Sequence, residues 1–477
     1  MKTGATTPPN ELFHREKVRL PIMAGVALVT LLTPAYFNLG SLLMSPSRLF
    51  FIIIIPIIAI KVIMGKVHKF LLVDGLIFFH VLWSTLAIAV NNSNVAVQFV
   101  GLNSAVILGG YLTARVSIRS YSDFIAFCKI IAFVAIISLP FALIETRTGN
   151  SILPALIDQI PGFSTVPNNT YAPRMGFYRV QFLLAHPIHY GLFCSVAFGL
   201  TFVVLKGYWS DTVRFGASAI IGFCCFLSVS SGPFLSMIIV IFLIVWAWMM
   251  KSSNSKWKIL FTIIFLVYIM LEVSSDGPII YKLITSMAFS SSTVNVRRVL
   301  LEYGISQIGR TPWLGVGYNS WGLPVWMTGS LDNYWLLNAL VFGIPSFLAL
   351  VMAFVLSMMK IGKRVFDGRP ELIVARLGWV FVMISLSLTL ATVTVWSEIQ
   401  SLVFFVFGSG IWLIYVDTSS SVKDHAPEIT KSRKSSYTRF PSRTILDQVN
   451  STPDTLSKKI TRFSKHQNSH YAGSVDE

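Results

Sequence analysis

The chain has 477 residues, of which 54% are hydrophobic and only 12% are charged. These proportions exclude an ordinary soluble domain, in which about 25% of the residues are charged. The formal net charge of +17 is large for so apolar a chain. Its distribution decides whether it indicates nucleic-acid binding or membrane topology.

Long apolar stretches recur along the chain from residue 20 onwards. A membrane-spanning helix needs roughly 20 apolar residues, and about twelve stretches meet that requirement. They lie near 20–38, 48–65, 70–90, 95–114, 124–144, 182–205, 213–230, 232–250, 257–273, 333–358, 375–396 and 400–416. A short re-entrant hairpin is an alternative for the closely spaced pair at 213–250. The sequence therefore predicts an all-α, polytopic membrane protein with about twelve transmembrane helices.

Basic residues are distributed unevenly among the short loops. They follow the even-numbered stretches, at Lys61, Lys66, Lys69, Arg115, Arg119, Lys206, Arg214, Lys251, Lys256, Lys258, Lys360, Lys363, Arg364 and Arg369. The short loops that follow the odd-numbered stretches hold only Arg48. Because loops rich in Lys and Arg remain in the cytoplasm, both termini are expected there. Two long loops, about 145–181 and 274–332, then face the other side of the membrane, and no nucleic-acid partner is expected.

Three segments follow from this topology. Residues 1–19 form a cytoplasmic N-terminus, residues 20–416 the membrane domain, and residues 417–477 a basic tail that is expected to be disordered. The tail suits either weak attraction to anionic membrane lipids or a solvated role without a specific partner. The four cysteines fall within predicted helices, so neither a disulfide nor a metal site is expected from them. Walker A and HExxH motifs are absent, which gives no support to an ATP-driven pump or a metalloprotease.

The first long loop ends in "APRMGFYRVQFLLAHPIHYG". Arg174 and Arg179 precede the predicted helix, and His186 and His189 lie one turn apart at its start. Two histidines without a carboxylate or thiol give a weak metal signal, and hydrogen-bonded interfacial groups are the alternative. Ionisable groups this close to a bilayer tend to face a cavity.

The second long loop contains "SSTVNVRRVLLEYGISQIGRTP", which predicts a helix with its own start and stop signals. Its apolar residues predict a helix lying along the membrane surface with the apolar side down; they are Val296, Val299, Leu300, Tyr303 and Ile308. Arg298 and Glu302 are spaced to form a solvated ion pair. The alternative is that Arg297, Arg298 or Arg310 binds a phosphate.

The same loop continues through "PWLGVGYNSWG" into Asp332 and Asn333, immediately before the next predicted helix. A carboxylate at that position serves naturally as an N-cap, and capping alone would explain Asp332. The surrounding aromatic residues suit either a membrane interface or stacking on sugar faces. They are Tyr318, Trp321, Trp326, Tyr334 and Trp335.

The motifs "PWLGVGY", "DNYWLLNALVFGIP" and the earlier "FLLAHPIHYG" resemble the bacterial O-antigen ligase and O-antigen or exopolysaccharide polymerase family. The resemblance covers about residues 170 to 400. It implies a metal-independent, cofactor-free glycosyltransferase at the periplasmic face of the bacterial inner membrane, which takes a glycan from undecaprenyl pyrophosphate. The two long loops would then lie in the periplasm. The acceptor would be another lipid-linked glycan or the lipid A core.

The resemblance also implies roles for particular residues. Asp332 stands where many members carry a histidine, and a carboxylate can likewise accept the proton of a sugar hydroxyl. Arginines would bind the pyrophosphate, with the surrounding glycines letting the backbone turn closely around it; the candidates are Arg297, Arg298, Arg179, Arg174 and Arg310. His186, Asn333 and Tyr334 are candidate supporting residues.

We expect a polymerase of lipid-linked oligosaccharides, with an O-antigen ligase as the alternative. A transporter or flippase of such lipids is the rival from another class. A transporter would be expected to carry ionisable residues near the membrane midplane, whereas the predicted helices are nearly free of them. Lipid-linked oligosaccharides, membrane lipids and other polysaccharide export proteins are the expected partners.

Overall fold

The computed structural model describes residues 18–40, 42–64, 69–166, 171–274, 291–323 and 331–417, with the side chains at 62, 63, 100 and 291–297 excepted. The predictions for the N-terminus before residue 18, for Lys66 and Trp326, and for the tail after residue 417 lie outside these residues.

The described residues form fifteen helices and three short strands, besides short single turns. The helices are α1 Ile22–Leu31, α2 Pro46–Ile63, α3 Leu72–Asn91, α4 Ala96–Ser117, α5 Tyr121–Thr148, α6 Ile152–Asp158, α7 Pro187–Gly199, α8 Asp211–Leu227, α9 Ser231–Met249, α10 Lys256–Val273, α11 Ser291–Arg310, α12 Tyr334–Phe342, α13 Ile344–Gly362, α14 Pro370–Thr389 and α15 Ser397–Ser409. The strands are β1 Ala35–Leu39, β2 Leu42–Met44 and β3 Ser164–Thr165.

Eight helical segments in the described part of the chain are long and apolar enough to cross a membrane. They are Leu72–Asn91, Ser93–Ser117, Tyr121–Thr148, Pro187–Val204, Ser231–Met249, Ile344–Gly362, Pro370–Thr389 and Ser397–Ile414. The chain is therefore a mostly helical membrane protein. Every one of the predicted apolar stretches contains a helix, and 213–250 contains two, α8 and α9.

Three of the predicted stretches are broken or cut short. Within 20–38 the helix ends at Leu31, because Pro34 follows closely and disfavours continuation. The stretch 333–358 divides at Gly343, whose φ of +84° and close approach to the Trp313 carbonyl suit only glycine. The helix within 375–396 ends at Thr389, after which the carbonyls of Leu390 and Val393 accept the Tyr334 N–H.

A small sheet qualifies the all-α expectation. The strand order is β2-β1-β3, with both pairs antiparallel. Ala35 pairs with Thr165, which ties the segment after α1 to the loop that follows α5. The sheet thus connects two regions that are far apart in the sequence.

Helices α4 and α15 pack closely against each other. A Cβ atom on Gly110 would lie 2.2 Å from the carbonyl oxygen of Ser401, so only glycine allows this approach. The neighbouring aromatic residues Phe404, Phe405 and Phe407 are fully buried. The N-terminal end of α15 is therefore held firmly against α4, and this end borders the candidate site.

The opposite end of the same helix pair is rich in basic residues, and we call it the basic end. There Arg115 on α4 forms an ion pair with Asp74 on α3, with 3.3 Å between Nε and Oδ1. Arg364, after α13, donates a hydrogen bond to the Ile414 carbonyl beyond α15. The end at which α4 and α15 begin is called the cavity end.

Candidate functional site

Two adjoining cavities lie at the cavity end, with volumes of about 510 and 320 Å³. The larger one, which we call the amide cavity, is lined by Arg48, Asn92, Asn94, Val95, Gln98, Phe99, Leu102, Asn103, Val106, Tyr318, Ser397 and Gln400. The smaller one includes Trp321, Tyr334, Thr394 and Trp396, and it shares Phe99, Asn103, Tyr318 and Gln400 with the larger. Both volumes are in the range of small-molecule sites.

The glycine-bearing loop after α11 builds one wall of both cavities. The Gly317 N–H donates to the Val341 carbonyl at 3.0 Å, and the Tyr318 N–H donates to Asn92 Oδ1 at 2.8 Å. Gly317 has φ +62°, and a Cβ atom there would lie 2.1 Å from Asn92 Oδ1. These contacts bring the loop against α12 and the end of α3. Here the glycine allows close contact with protein atoms, whereas the sequence interpretation assigned the loop glycines to contact with pyrophosphate.

The start of α15 forms the opposite wall. Ser397 has φ +56°, a conformation that is rare for residues other than glycine and is often found at functional sites. Glu398 is buried and accepts a hydrogen bond from the Tyr36 hydroxyl at 3.0 Å. Arg48 donates from Nη1 to the Leu43 carbonyl at 2.8 Å, and its Nη2 lies 3.4 Å from Ser397 Oγ.

Arg48 is a site residue that the sequence interpretation did not select. A signal for it was present, because it is the only basic residue in the short loops predicted to face the periplasm. The structure places this exceptional basic residue in the lining of the amide cavity.

A second cluster at the cavity end brings Arg174 and Arg179 together. Arg179, only 4% exposed, donates from Nη2 to Ser230 Oγ at 2.9 Å, and its guanidinium lies 5.5 Å from the Tyr171 ring centre. Burial, and then the neighbouring positive charge of Arg174, lower the pKa of Arg179 to about 10. Arg174 itself reaches the Val229 carbonyl at 3.5 Å. Both arginines predicted from the first loop therefore belong to one cationic cluster.

The loop that carries Arg179 is held by Glu145, in the last turn of α5. Its carboxylate accepts the backbone N–H groups of Gln181 at 2.9 Å and Phe182 at 3.0 Å. It also accepts the Ser151 hydroxyl at 2.6 Å. Such hydrogen bonds to a buried carboxylate are strong and fix the local backbone, so Glu145 has a structural role here.

His186 connects the arginine cluster to the cavities. Its Nδ1 atom accepts the Ile188 N–H at 3.0 Å, so it caps α7, and Pro187 occupies the first position of that helix. Burial, and then the charges of Arg179 and Arg174, lower the pKa of His186 to about 4. Its ring centre lies 5.8 Å from that of Trp396, which lines the smaller cavity.

His189 lies against the same tryptophan, with ring centres 4.1 Å apart. Two histidines and one tryptophan thus form a continuous aromatic contact beside the cavity. Among the described residues, no three His, Cys, Asp or Glu side chains form a group that could hold a metal ion.

The arginines of α11 lie elsewhere. Arg298 is 67% exposed and forms the predicted ion pair with Glu302, at 2.9 Å between Nε and Oε1. Arg310 is also exposed, and neither arginine lines the two cavities described above. The side chain of Arg297 lies outside the described residues.

Within the described residues helix α11 runs from Ser291 to Arg310, so it ends where the stop signal predicts. Part of the apolar side that was predicted to face the membrane packs against the protein instead. Leu300 is buried against Leu331 and Leu340, and Gly304 lies beside Leu336. Helix α12 and Leu331, three residues before it, provide the apolar surface on which α11 packs, and a single-helix pattern cannot reveal such a neighbour.

Asn333, rather than Asp332, caps α12. Its side-chain oxygen accepts the Leu336 N–H at 2.9 Å, because the helix begins at Tyr334 and the cap is the residue just before it. The capping explanation for Asp332 is therefore wrong. Asp332 is partly exposed and precedes Asn333, while Tyr334 lines the smaller cavity and accepts a hydrogen bond from Gln400 Nε2 at 2.9 Å.

No protein-family model matches this chain, and no curated protein matches it. The function is accordingly argued from the chemistry of the cavities and of the arginine cluster.

Proposed function

We propose that the protein is a membrane-embedded glycosyltransferase that acts on oligosaccharides linked to a polyprenyl pyrophosphate. Its leading form is a polymerase of undecaprenyl-pyrophosphate-linked repeats at the periplasmic face of the bacterial inner membrane. One observation carries the proposal: an amide- and aromatic-lined cavity occurs at the same end of the helices as the buried Arg179 and the exposed Arg174 beside it.

The cavity chemistry suits a glycan. The amides of Asn103 and Gln400 can donate and accept hydrogen bonds, which matches the mixed demands of sugar hydroxyls. Tyr318 and Trp321 provide flat apolar faces on which the C–H groups of a sugar ring can pack. Such a lining is polar without being charged, apart from Arg48.

The arginine pair suits the leaving group. In the reaction, an acceptor hydroxyl oxygen attacks the anomeric carbon while the bond from that carbon to the pyrophosphate oxygen breaks. Negative charge develops on the departing pyrophosphate, and fixed guanidinium groups stabilise it. The hydroxyl proton passes to a base, for which Asp332 remains the proposed residue on the strength of the family resemblance.

Two other activities fit a glycan-lipid substrate. An O-antigen ligase would use the same donor with the lipid A core as acceptor, and a flippase would move the lipid without breaking the glycosidic phosphate bond. Membrane lipids and other polysaccharide export proteins are the proposed partners in each case. The three activities give different products, so the products of the reaction distinguish them.

The test uses the full-length protein in proteoliposomes that contain an undecaprenyl-pyrophosphate-linked oligosaccharide. We expect a ladder of longer glycans and release of undecaprenyl pyrophosphate, both persisting in the presence of EDTA. Arg179→Gln should lower the rate about ten- to a hundredfold, the range expected for losing a charged hydrogen bond. Arg147→Gln is the matched control, because Arg147 is exposed on α5 and lines neither cavity. Transfer only to added lipid A core would indicate the ligase, and lipid movement without release would reject glycosyl transfer.

A further inference from the structure

The amide cavity contains one guanidinium group amid neutral amides. Arg48 has five N–H groups, of which one donates to the Leu43 carbonyl and one to Ser397 Oγ. Its Nε–H is covered and has no acceptor among the described residues. One N–H therefore remains on each of Nη1 and Nη2, and both can donate to a carboxylate.

No carboxylate oxygen of the described residues lies within 4 Å of this guanidinium. Glu398, in the first turn of α15, instead accepts the Tyr36 hydroxyl. The positive charge of Arg48 is thus bordered by a hydroxyl and a carbonyl rather than by an ion-pair partner.

One helix start reinforces the positive potential. Helix α15 begins after Trp396, which does not cap the helix with a side-chain hydrogen bond. Ser397, its first residue, lines the cavity. The N-terminus of a helix favours a nearby anion, so it acts in the same direction as the guanidinium.

We propose that the amide cavity is a subsite for an acidic sugar of the glycan, with Arg48 binding the sugar carboxylate. The amides of Gln98, Asn103 and Gln400 would bind the hydroxyls of the same ring, and Tyr318 would cover one face of it. A single guanidinium matches the single charge of a carboxylate. A pyrophosphate carries more charge and is matched by the pair of arginines at positions 174 and 179.

This inference rests on the proposed function for the choice of a glycan as ligand, but its test needs no turnover. The probes are a glucuronosyl-glucose disaccharide and its uncharged parent cellobiose, titrated against the full-length protein in nanodiscs and followed by saturation-transfer NMR. We expect the acidic disaccharide to bind about ten- to a hundredfold more tightly than cellobiose, as expected for a charged hydrogen-bonded contact.

Variants assign that preference to Arg48. Arg48→Gln should abolish it, whereas Arg147→Gln, an exposed arginine of the same end, should retain it. Gln98→Ala, which keeps the charge, should weaken both disaccharides by a similar factor. Equal affinity of the wild type for the two disaccharides would overturn the inference, even if Arg48→Gln fails to fold.

Inorganic pyrophosphate is the third probe. It should not displace the acidic disaccharide, and displacement that disappears in Arg48→Gln would assign Arg48 to phosphate and reject the acidic-sugar subsite. A wild type that prefers the acidic disaccharide but forms no polymer would contradict only the proposed function. Polymer formation without that preference would contradict only this inference.

Discussion

Arginines are used differently at the two ends of the helices. At the basic end, Arg115 is paired with a buried carboxylate, and Arg364 donates to carbonyls that follow α15. At the cavity end, Arg179 donates to a serine hydroxyl and lies beside Tyr171, while Arg48 borders an open cavity. The arginines of the basic end are therefore held in structural contacts by a carboxylate and by the carbonyls beyond α15. The arginines of the cavity end maintain a positive potential beside a polar cavity, which is where an anionic substrate would be recognised.

The largest expected effect tests the base that would act at the cavity end. Asp332→Asn removes the proton acceptor but keeps the shape of the side chain, and Asn333 still caps α12. General-base contributions are on the order of 10²- to 10⁴-fold, so polymer formation in proteoliposomes should fall by that factor while the protein remains inserted.

Asn333→Ala is the matched control for Asp332→Asn. It removes the actual cap and should cost about 1 kcal/mol of stability, with little loss of rate per folded molecule. Asp332→His would restore the residue common in the resembling family and should retain activity. Full activity of Asp332→Asn would remove Asp332 from the mechanism and direct attention to Glu398.

The second-largest expected effect is a loss of stability when the ion pair at the basic end is broken. Asp74→Asn leaves the Arg115 guanidinium buried without its carboxylate, and breaking such a pair typically costs about 3–5 kcal/mol. Unfolding in detergent should show that loss, while the rate per folded molecule should change little. Glu302→Gln, which breaks a pair whose two side chains are both exposed, should leave stability nearly unchanged. A large loss of rate in Asp74→Asn without a loss of stability would contradict the structural role assigned to the basic end.

The sequence predicted local features better than long-range ones. Apolar stretches located the helices, and the stop signal located the end of α11 at Arg310, because these signals depend on neighbours within a few residues. The meeting of Arg174 with Val229 joins loops far apart in the chain. No periodicity reports such a contact, and the same is true of Arg48 beside Ser397.

The next effect is a pH dependence that belongs to the cavity end. The pKa of His186 is lowered from 6.5 to about 4, so the neutral ring is the folded form and the unfolded chain takes up the proton first. The contribution of His186 to stability is complete above pH 6.5 and is lost as the pH falls towards 4. His186→Asn keeps a capping side chain without titrating.

Unfolding midpoints of wild type and His186→Asn, measured from pH 7 to pH 4, give the test. The difference between the two should shift against the wild type as the pH falls. Arg174, Arg179, Tyr171 and His189 surround the ring and are present in both proteins, so the difference reports the His186 ring together with its effect on His189. A difference independent of pH would show that His186 does not titrate in this range.

The smallest expected effect tests whether α11 takes part in substrate binding at the cavity end. Arg298 is largely exposed and its Nε bonds to Glu302 at 2.9 Å, and exposed pairs of this kind contribute well under 1 kcal/mol. A lysine can pair with the same glutamate, so Arg298→Lys should change stability and polymer formation little, within about twofold in rate. Loss of polymer at matched expression, in a variant that is as stable as the wild type, would mean that Arg298 makes a two-pronged phosphate contact that an ammonium cannot reproduce. In that case α11 would belong with Arg174 and Arg179 in binding the leaving group, and the boundary of the site would extend to the surface helix.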